Sequence, residues 1–470
     1  MLYVSTRGEA PAISFADALL AGLARDGGLY VPERWPTLSR DVIAGFQGKP
    51  YADVAFEVIR PYIAGSIKDT DLARMIKDAY ANFGHPAVAP LVELKPGEYL
   101  LELFHGPTLA FKDVAMQLLA RLMDHVLAER GERVTIVGAT SGDTGGAAVE
   151  AFRGRDRVDL IILFPDRRVS DVQRRMMTTA SEANVHAVAV EGTFDDCQAL
   201  VKALFNDHAF RDRVKMSGVN SINWARIVAQ AVYYFIAAAA LGAPERAVRF
   251  AVPTGNFGDI FAGYVAAQMG LPVERLIIAT NVNDILARTL ASGNYEPHAV
   301  VATASPAMDI QVSSNFERLL FEATGRSPVA VLKMMSVLAK EKRFTVPPDA
   351  LAAMRKLFSA RRADEAETVA TIKAVYAECG YVLDPHSAVG VAVARKLKAE
   401  GKAPVVSLAT ADPAKFPEAV EAAIGVHPKL PERLADLGKR RERFTKLPAN
   451  VEAVARFVAD HSRAAAGAAA

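Results

Sequence analysis

The chain has 470 residues, of which 51% are hydrophobic and 23% are charged, and its formal net charge is +2. This balance is typical of a globular protein with two or three domains, and it excludes a strongly basic nucleic-acid-binding surface. The two cysteines, Cys197 and Cys379, stand far apart without metal-ligand spacing, which favours a reducing compartment and predicts no metal site. Residues 1–7 do not resemble a secretory signal, and the longest apolar run, 231–241, is too short for a membrane span. We therefore expect a cytoplasmic protein without nucleic-acid or membrane partners.

The first 85 residues are predicted to form a small helical domain. Ser14 and Asp17 form a capping pair ahead of an apolar helix face that is expected to end at Gly27. Apolar periodicity predicts three helices in this region, at about 15–23, 54–62 and 72–83. Gly84 and Pro86 mark the boundary with the rest of the chain.

From residue 86 to 470, strands alternate with loops and helices, which predicts mainly parallel sheets covered on both faces. The predicted strands are 134–139, 158–164, 185–190, a short one near Val214, 248–252, 276–280 and 405–409. The main predicted helices between and after them are 195–204, 224–241, 260–269, 367–378 and a helix that ends at Leu397. We predict a smaller sheet subdomain over roughly 130–220 and a larger one from the remainder. The basic run 439–443 is typical of a solvated helix face.

A lysine stands where a loop is predicted to meet a helix. Gly106 and Pro107 break regular structure, Asp113 is placed to cap the helix, and apolar residues then recur every fourth position. An amine beside Phe111 loses part of its preference for the charged form, and a neutral amine can form a Schiff base with a carbonyl. Taken alone, Lys112 is more simply interpreted as a solvated lysine in the first helical turn. The inference therefore depends on the loops that follow.

Two glycine-rich loops follow predicted strands, the position at which ligands bind to parallel sheets. Residues 138–146 crowd glycines, hydroxyls and helix N-terminal amides into one turn that suits an anion, although tight strand–helix packing explains this loop equally well. In residues 252–259, Thr254, Gly255, Asn256 and Gly258 can present several backbone donors to a phosphate. Asp259 is placed to cap the next helix.

Two further segments carry side chains suited to a phosphorylated ligand. Ser221, Asn223 and Arg226 are spaced so that all three could reach one tetrahedral anion, although a capping serine beside an unrelated arginine gives the same pattern. Thr410 ends the last predicted strand, where its hydroxyl could meet a ligand ring at its edge. A reactive lysine together with two or more phosphate-type sites indicates pyridoxal phosphate, bound covalently through Lys112 and held by a glycine nest.

The motifs together resemble the threonine synthase family of pyridoxal-phosphate enzymes. They are Phe-His-Gly-Pro-Thr-Leu-Ala-Phe-Lys-Asp at 104–113, Ser-Gly-Asp-Thr-Gly at 141–145, Gly-Asn-Phe-Gly at 255–258, Ser-Pro-Ala-Met-Asp at 305–309 and Asp-Pro-His at 384–386. Ser-Thr-Arg-Gly at 5–8 resembles the family's N-terminal domain, and residues 313–318 resemble its longer, fungal-like branch. The resemblance implies an α/β fold of the tryptophan synthase β-like type (fold type II). That fold has two open, mainly parallel-sheet subdomains, here with a small helical N-terminal domain.

The resemblance also implies a reaction and a set of roles. O-phospho-L-homoserine and water would give L-threonine and phosphate, with Lys112 as the covalent and proton-transferring residue. Further cofactor contacts are implied for Asp143, Gly255, Asn256, Phe257, Gly258 and Thr410. Substrate contacts are implied for Thr108, Ser141, Thr144, Ser221, Asn223 and Arg226. His105 and His386 are expected to anchor loops. A monomer or homodimer is expected.

Two alternatives remain open at this point. One is another lyase of the same fold, either a serine or threonine dehydratase or a phospho-lyase acting on a different phosphorylated amino acid. The other is a non-catalytic protein that binds a phosphorylated ligand on the same fold. The segment 221–226 favours a phosphorylated substrate over free serine or threonine.

Overall fold

The computed structural model describes residues 1–140 and 142–466. The strands in chain order are β1 (Tyr3–Ser5), β2 (Tyr30–Pro32), β3 (Leu91–Lys95), β4 (Glu98–Glu102), β5 (Val134–Ala139), β6 (Val158–Pro165), β7 (Val185–Glu191), β8 (Met216–Ser217), β9 (Val248–Pro253), β10 (Val273–Thr280), β11 (Asn294–Tyr295), β12 (Phe344–Thr345), β13 (Phe358–Arg362), β14 (Val405–Ala409) and β15 (Thr445–Pro448).

The helices up to the end of the smaller sheet are α1 (Phe15–Ala21), α2 (Arg40–Ala44), α3 (Tyr51–Ile63), α4 (Asp69–Tyr80), α5 (Lys112–Arg130), α6 (Asp143–Phe152), α7 (Asp171–Thr178), α8 (Phe194–Asn206) and α9 (His208–Arg213). Those that follow are α10 (Trp224–Ala240), α11 (Gly258–Gln268), α12 (Ile285–Ser292), α13 (Phe316–Ala323), α14 (Pro328–Glu341), α15 (Pro348–Leu357), α16 (Glu365–Cys379), α17 (Pro385–Lys396), α18 (Pro417–Ile424), α19 (Val451–His461) and α20 (Arg463–Ala466). Short 3-10 turns include Pro306–Met308 and Pro413–Lys415. None of these helices is both long and apolar enough to cross a membrane.

Two sheets organise the chain beyond the N-terminal region. The larger sheet has six strands in the order β13-β10-β9-β14-β4-β3, parallel except for the antiparallel edge strand β3. The smaller sheet has five parallel strands in the order β15-β7-β6-β5-β8. Their central strands β6, β9 and β14 are buried along their whole length, as expected for parallel strands covered by helices on both faces.

Helix α10 connects the N-terminal region to the larger sheet. It is rich in alanine and apolar nearly all round, which is the composition of a helix buried on every side. It packs against α3 from the N-terminal region and against α11 from the larger subdomain. A single hydrophobic core therefore runs from the N-terminal helices through α10 into the sheet region.

Several local predictions were wrong. Helix α1 ends at Ala21, before the predicted glycines, whereas the short strand predicted near Val214 is confirmed as Met216–Ser217. The strands β3, β4, β13 and β15 were not predicted at all. The basic run 439–443 does not form a helix face. Within it, Arg440 pairs with Asp436, and Arg443 donates to backbone carbonyls.

The predicted domain boundaries stay a prediction. Four of the five strands of the smaller sheet lie between residues 134 and 217, inside the predicted range of 130–220. The fifth strand, β15, comes from near the end of the chain and pairs with β7. The smaller sheet therefore draws on two separated parts of the sequence.

Candidate active site

The described site residues lie on segments that follow the carboxyl ends of strands from both sheets. The β5–α6 loop comes from the smaller sheet, and the β9–α11 loop comes from the larger one. Thr410 directly follows β14, and Lys112 opens α5. This is the edge at which parallel sheets bind ligands.

Lys112 is a buried amine. Its residue is 8% exposed, and Nζ lies 4.8 Å from the centre of the Phe111 ring. The nearest carboxylate is that of Asp143, whose Oδ2 is 3.5 Å from Nζ. Burial lowers the pKa of Lys112; Asp143 opposes this shift, and the positive charges of Lys415 and Arg226 add to it. Lys112 therefore has the environment that a nucleophilic amine requires.

Asp143 is held by more than Lys112. Its Oδ1 lies 2.7 Å from Nζ of Lys415 and accepts a hydrogen bond of 3.0 Å from Nε2 of Gln173. Burial would raise the pKa of Asp143, but Lys415 and Lys112 outweigh that effect and hold it well below its usual range. Asp143 is thus a fixed negative charge between two lysines.

The prediction that Asp113 caps α5 was wrong. The helix begins at Lys112, and Asp113 instead accepts hydrogen bonds of 2.7 Å from both the backbone N–H and the hydroxyl of Thr108. A Cβ at Gly106 would lie 2.3 Å from Cβ of Asp113, so only glycine fits there. Burial raises the pKa of Asp113 to about 6, opposed by the bonds from Thr108. The predicted substrate contact of Thr108 stays a prediction. In the structure its hydroxyl donates to Asp113.

The loop 255–258 has the form of an anion nest. Among the described residues, the four backbone N–H groups of this loop donate to no acceptor. Phe257 adopts a left-handed φ of 64°, which is uncommon for a residue other than glycine, and its ring is packed against Phe316. A Cβ at Gly255 would lie 2.8 Å from the carbonyl oxygen of Ala307. The loop is therefore strained, closely packed and supplied with free donors, as a phosphate site requires.

The carbonyl side of this nest is supported by a segment that sequence analysis assigned no role. Ser313 donates to the carbonyl of Gly255 at 2.7 Å, and Asn315 donates to the carbonyl of Asn256 from both its backbone and its side chain, at 3.0 Å. The side-chain amide of Asn315 also donates to the carbonyl of Ser221 at 3.1 Å. Asn315 thus fixes the two predicted phosphate segments relative to each other.

Arg318 ties this support to the N-terminal domain. It is fully buried, donates to the carbonyls of Tyr30 and Ile222, and donates to the side-chain oxygen of Asn315. Its guanidinium lies 5.6 Å from the Trp224 ring centre. Burial lowers the pKa of Arg318 to about 9.

Replacing Arg318 with methionine is expected to destabilise the protein by roughly 2–5 kcal/mol, because three buried acceptors lose their donor. Pyridoxal phosphate, the ligand that the sequence predicts, should also bind more weakly, because Asn315 would no longer be held. Thermal unfolding followed by calorimetry, together with a titration with pyridoxal phosphate, measures both effects. Arg440, whose pair with Asp436 is exposed, provides the control; its methionine variant should unfold within about 0.5 kcal/mol of the parent protein. An equally small effect at Arg318 would contradict the assignment.

The prediction that Asp259 caps α11 was also wrong. The helix begins at Gly258 without a side-chain cap, and Asp259 accepts hydrogen bonds from the hydroxyls of Tyr233 and Tyr234. Its Oδ2 is buried without a partner among the described residues. Burial raises the pKa of Asp259 to about 7, although the two tyrosines oppose the shift.

This shift predicts a pH dependence of stability. Between about pH 4 and pH 7 the folded protein keeps the Asp259 proton that the unfolded chain has lost, so Asp259 makes stability fall as pH rises. An Asp259→Asn variant lacks this contribution and should gain stability relative to the parent as pH rises from 5 to 7.5. Unfolding midpoints of both proteins across that range measure the difference. A difference that is constant or of opposite sign would contradict the shift.

The segment 221–226 contains a buried arginine without a counter-ion. Asn223 caps α10 through the N–H of Ala225 and donates to the carbonyl of Leu19, so its side chain is engaged. Arg226 lies in the first turn and is 3% exposed; its Nε is buried without a partner, and its guanidinium makes no hydrogen bond or ion pair with any described residue. Burial lowers the pKa of Arg226 to about 10, so it stays charged at neutral pH. A buried, unpaired guanidinium is costly, which indicates that an anionic ligand completes this site.

Thr410 is held in place by neighbouring loops. Its backbone N–H donates to Ser387 at 3.1 Å, and its carbonyl accepts from Phe111 at 2.9 Å. Ser387 in turn donates to Asp384, which also contacts the ring of His386. In a separate segment, Glu102 contacts the ring of His105. The Thr410 hydroxyl has no partner within the described ranges, and both histidines anchor loops as expected.

The β5–α6 loop is partly outside the described residues. The predicted site residue Ser141 is not described, whereas Thr144 lies in the first turn of α6 beside Asp143. Gly142 has a φ of 143°, and a Cβ there would lie 2.4 Å from the Gln173 side chain. The hydroxyl of Thr140 accepts hydrogen bonds from two glycine amides of the loop, Gly142 and Gly145.

The arrangement therefore combines a buried amine, a nest of unpaired amides, a free hydroxyl and an unpaired guanidinium. This donor set fits pyridoxal phosphate, since Lys112 can bond the aldehyde, residues 255–258 can hold the phosphate and Thr410 can meet the ring nitrogen. Sequence analysis missed Lys415, Gln173 and Asn315. For Lys415 there was a signal, because it lies five residues after Thr410 in the same strand-end loop.

Comparison with known proteins agrees with this chemistry. Three family descriptions match successive parts of the chain: "Threonine synthase N terminus" at residues 2–80, "Pyridoxal-phosphate dependent enzyme" at 83–364 and "Threonine synthase, C-terminal" at 387–458. Threonine synthase from Pseudomonas aeruginosa is 54% identical over 462 residues, covering 98% of both chains. The crystal structure of PLP-bound threonine synthase from Brucella melitensis matches with a TM-score of 0.96 at 62% identity, over 98% of this chain and 100% of that one. Yeast threonine synthase matches with a TM-score of 0.93 at 41% identity, over 98% of both.

With two facing parallel-sheet subdomains and a buried lysine between them, the protein is a fold type II pyridoxal-phosphate-dependent enzyme. Pyridoxal phosphate is its cofactor, and its class of reaction is that of a lyase. Within that class the chain belongs to the threonine synthase family, as the two threonine synthase family models and the 54% identical relative, matched over 98% of this chain, show.

Proposed function

We propose that the enzyme converts O-phospho-L-homoserine and water to L-threonine and phosphate. The observation that carries the proposal is Arg226, a buried cation without a counter-ion in the described ranges, close enough to Lys112 to lower the pKa of that amine. An amino-acid substrate with a phosphate ester on its side chain would bring its reactive carbon to Lys112 and its phosphate to Arg226. Free serine or threonine would leave the Arg226 charge unpaired.

The remaining roles follow from the same geometry. Bound pyridoxal phosphate supplies an electron sink for the charge that develops when the substrate loses a proton beside its amine. Lys112 removes that proton and returns protons later in the reaction, for which its lowered pKa suits it. The amides of residues 255–258 would hold the cofactor phosphate, and the hydroxyl of Thr410 would hydrogen-bond the ring nitrogen.

The departing phosphate must be stabilised as its negative charge grows. Arg226 is pre-positioned for this in a buried site, where a fixed charge has a larger effect than in water. Ser221 lies on the same segment and can donate its hydroxyl. Thr144, in the first turn of α6, would hold the substrate carboxylate with backbone and hydroxyl donors, and the same role is proposed for Ser141, which lies outside the described residues. The predicted substrate contacts of Thr108 and Asn223 stay predictions, and in the structure the side chains of both residues are hydrogen-bonded to protein atoms.

Measuring both products from one substrate tests the reaction. Purified enzyme given O-phospho-L-homoserine should release phosphate and form threonine in equal amounts, each followed by its own assay. Phosphoserine, free serine and free threonine are the matched controls, and each should react far more slowly. Oxo-acid formation from serine or threonine at a comparable rate would favour a dehydratase instead. Phosphate release without threonine would favour a different phospho-lyase.

We further propose that the enzyme works in the cytoplasm as a monomer or homodimer. The two cysteines support a reducing location, because both are free thiols and neither forms a disulfide with the other. Analytical ultracentrifugation of the holoenzyme tests the assembly. A single species at the mass of three or more chains would contradict this proposal.

A further inference from the structure

Lys415 is a second lysine in the active site, and the reaction described above gives it no task. It is 1% exposed, a burial that lysine rarely reaches without partners. Its Nζ donates to the carbonyl of Thr108 at 2.8 Å and lies 2.7 Å from Oδ1 of Asp143. The 3-10 turn Pro413–Lys415, which follows Thr410, places it there.

The two oxygens of Asp143 are used unequally. Oδ1 receives both Lys415 and Gln173, at 2.7 Å and 3.0 Å. Oδ2 faces Lys112 at 3.5 Å, which is longer than a charge-assisted hydrogen bond of about 2.7–2.9 Å. The carboxylate is therefore paired closely with Lys415 and only loosely with Lys112.

Burial lowers the pKa of Lys112, and the charged groups around it add to that shift or oppose it. The groups that act on Lys112 are Asp143 on α6, Lys415, Arg226 on α10 and, more weakly, Asp259 on α11. Lys415 also acts on Asp113, which lies beside Thr108. Two lysines thus share the single strongly ionised carboxylate of Asp143, and the shorter contact belongs to Lys415.

We propose that Lys415 is a positioning residue for this enzyme: it neutralises Asp143, so that Lys112 can lose its proton and react with the cofactor aldehyde. The inference rests on the proposed role of Lys112. In the reaction, Lys112 first gives one proton to solvent. Its neutral nitrogen then bonds to the aldehyde carbon, and water leaves with the aldehyde oxygen and the two remaining amine protons. Without Lys415, Asp143 would pair fully with Lys112 and hold it in the charged, unreactive form.

The test measures how fast full-length protein, stripped of cofactor, incorporates added pyridoxal phosphate across a pH range. Borohydride reduction and peptide mapping identify the modified lysine. Lys415→Met should move the midpoint of the pH dependence upward by about one unit, which slows incorporation about tenfold at neutral pH. Asp143→Asn should move the midpoint downward. The double variant should recover to within a few-fold of the parent, because both charges are then absent.

The surface lysine Lys446, paired with Asp166 at 2.9 Å, provides the control, and its methionine variant should leave the midpoint unchanged. A Lys415→Met protein that is slow at every pH, with an unmoved midpoint and no recovery in the double variant, would overturn the proposal and leave Lys415 a structural tie. If Lys415→Met does not fold, the direction of the Asp143→Asn shift decides, and an unmoved or raised midpoint overturns the proposal. Modification at a lysine other than Lys112 would instead refute the assignment of Lys112. Peptide mapping therefore distinguishes a failure of the Lys112 assignment from a failure of the role proposed for Lys415.

Discussion

Replacing Lys112 with alanine is expected to abolish both the covalent attachment of pyridoxal phosphate and the turnover of O-phospho-L-homoserine. No other described lysine is placed to substitute for it, because Nζ of Lys415 is held by Asp143 and the carbonyl of Thr108. Loss of a positioned general base alone lowers rates by roughly 10²–10⁴-fold, and loss of the covalent link adds to that. The fold should be retained, since Asp143 keeps Lys415 as its partner.

The visible absorption of the purified variant, before and after borohydride, provides the measurement. The parent protein should be yellow and lose its band irreversibly on reduction, whereas the Lys112→Ala protein should lack the band. A Lys112→Arg variant is the matched control, because it keeps the positive charge but cannot form the covalent link. It should be as inactive as the alanine variant. An alanine variant that keeps the band would show that another amine carries the cofactor.

Replacing Arg226 with methionine is expected to raise the KM for the phosphorylated substrate by roughly 10²-fold while leaving the cofactor band intact. Charge-assisted hydrogen bonds contribute about 1.5–3 kcal/mol each, and the substrate phosphate would lose its main cationic partner. Thermal stability should not fall, because the substitution removes a buried charge that has no counter-ion among the described residues. Inorganic phosphate, a proposed product that would bind at Arg226, is expected to inhibit the parent enzyme and to inhibit this variant much less.

Arg318 provides the contrast for this second prediction, because it is also buried but each of its three guanidinium nitrogens donates a hydrogen bond. Methionine at 318 should lower the unfolding temperature, whereas methionine at 226 should leave it unchanged or raise it. Steady-state kinetics, phosphate inhibition and calorimetry on the two variants separate ligand binding from support of the fold. Loss of the cofactor band in the Arg226→Met protein would instead assign Arg226 to the cofactor phosphate.

Much of the fold could be predicted because buried parallel strands have a strong signature. The strands β6, β9 and β14 are short, mostly apolar runs, and each was predicted within a residue or two. The edge strands β3 and β15 gave no such signal, since they are partly exposed and carry charged residues. An edge strand is defined by its neighbour in space, which local sequence does not report.

The sequence predicted those parts of the site that lie within one loop, and it did not predict the contacts between loops. Lys112 and the loop 255–258 stand out by composition, but the pairing of Lys415 with Asp143 joins residues far apart in the chain. The two failed capping predictions have different causes. Asp259 accepts hydrogen bonds from two tyrosines of another helix, which lie 25 and 26 residues earlier in the chain. Asp113 is engaged locally, by Thr108 five residues earlier in the loop that precedes α5.

A crystal structure of the holoenzyme, reduced with borohydride, tests the central claim most directly. We predict continuous density from Nζ of Lys112 to the cofactor, with the cofactor phosphate about 3 Å from the backbone nitrogens of residues 255–258. Density that ends at a different lysine, or a cofactor phosphate seated at Arg226 or in the loop 138–146, would contradict the account.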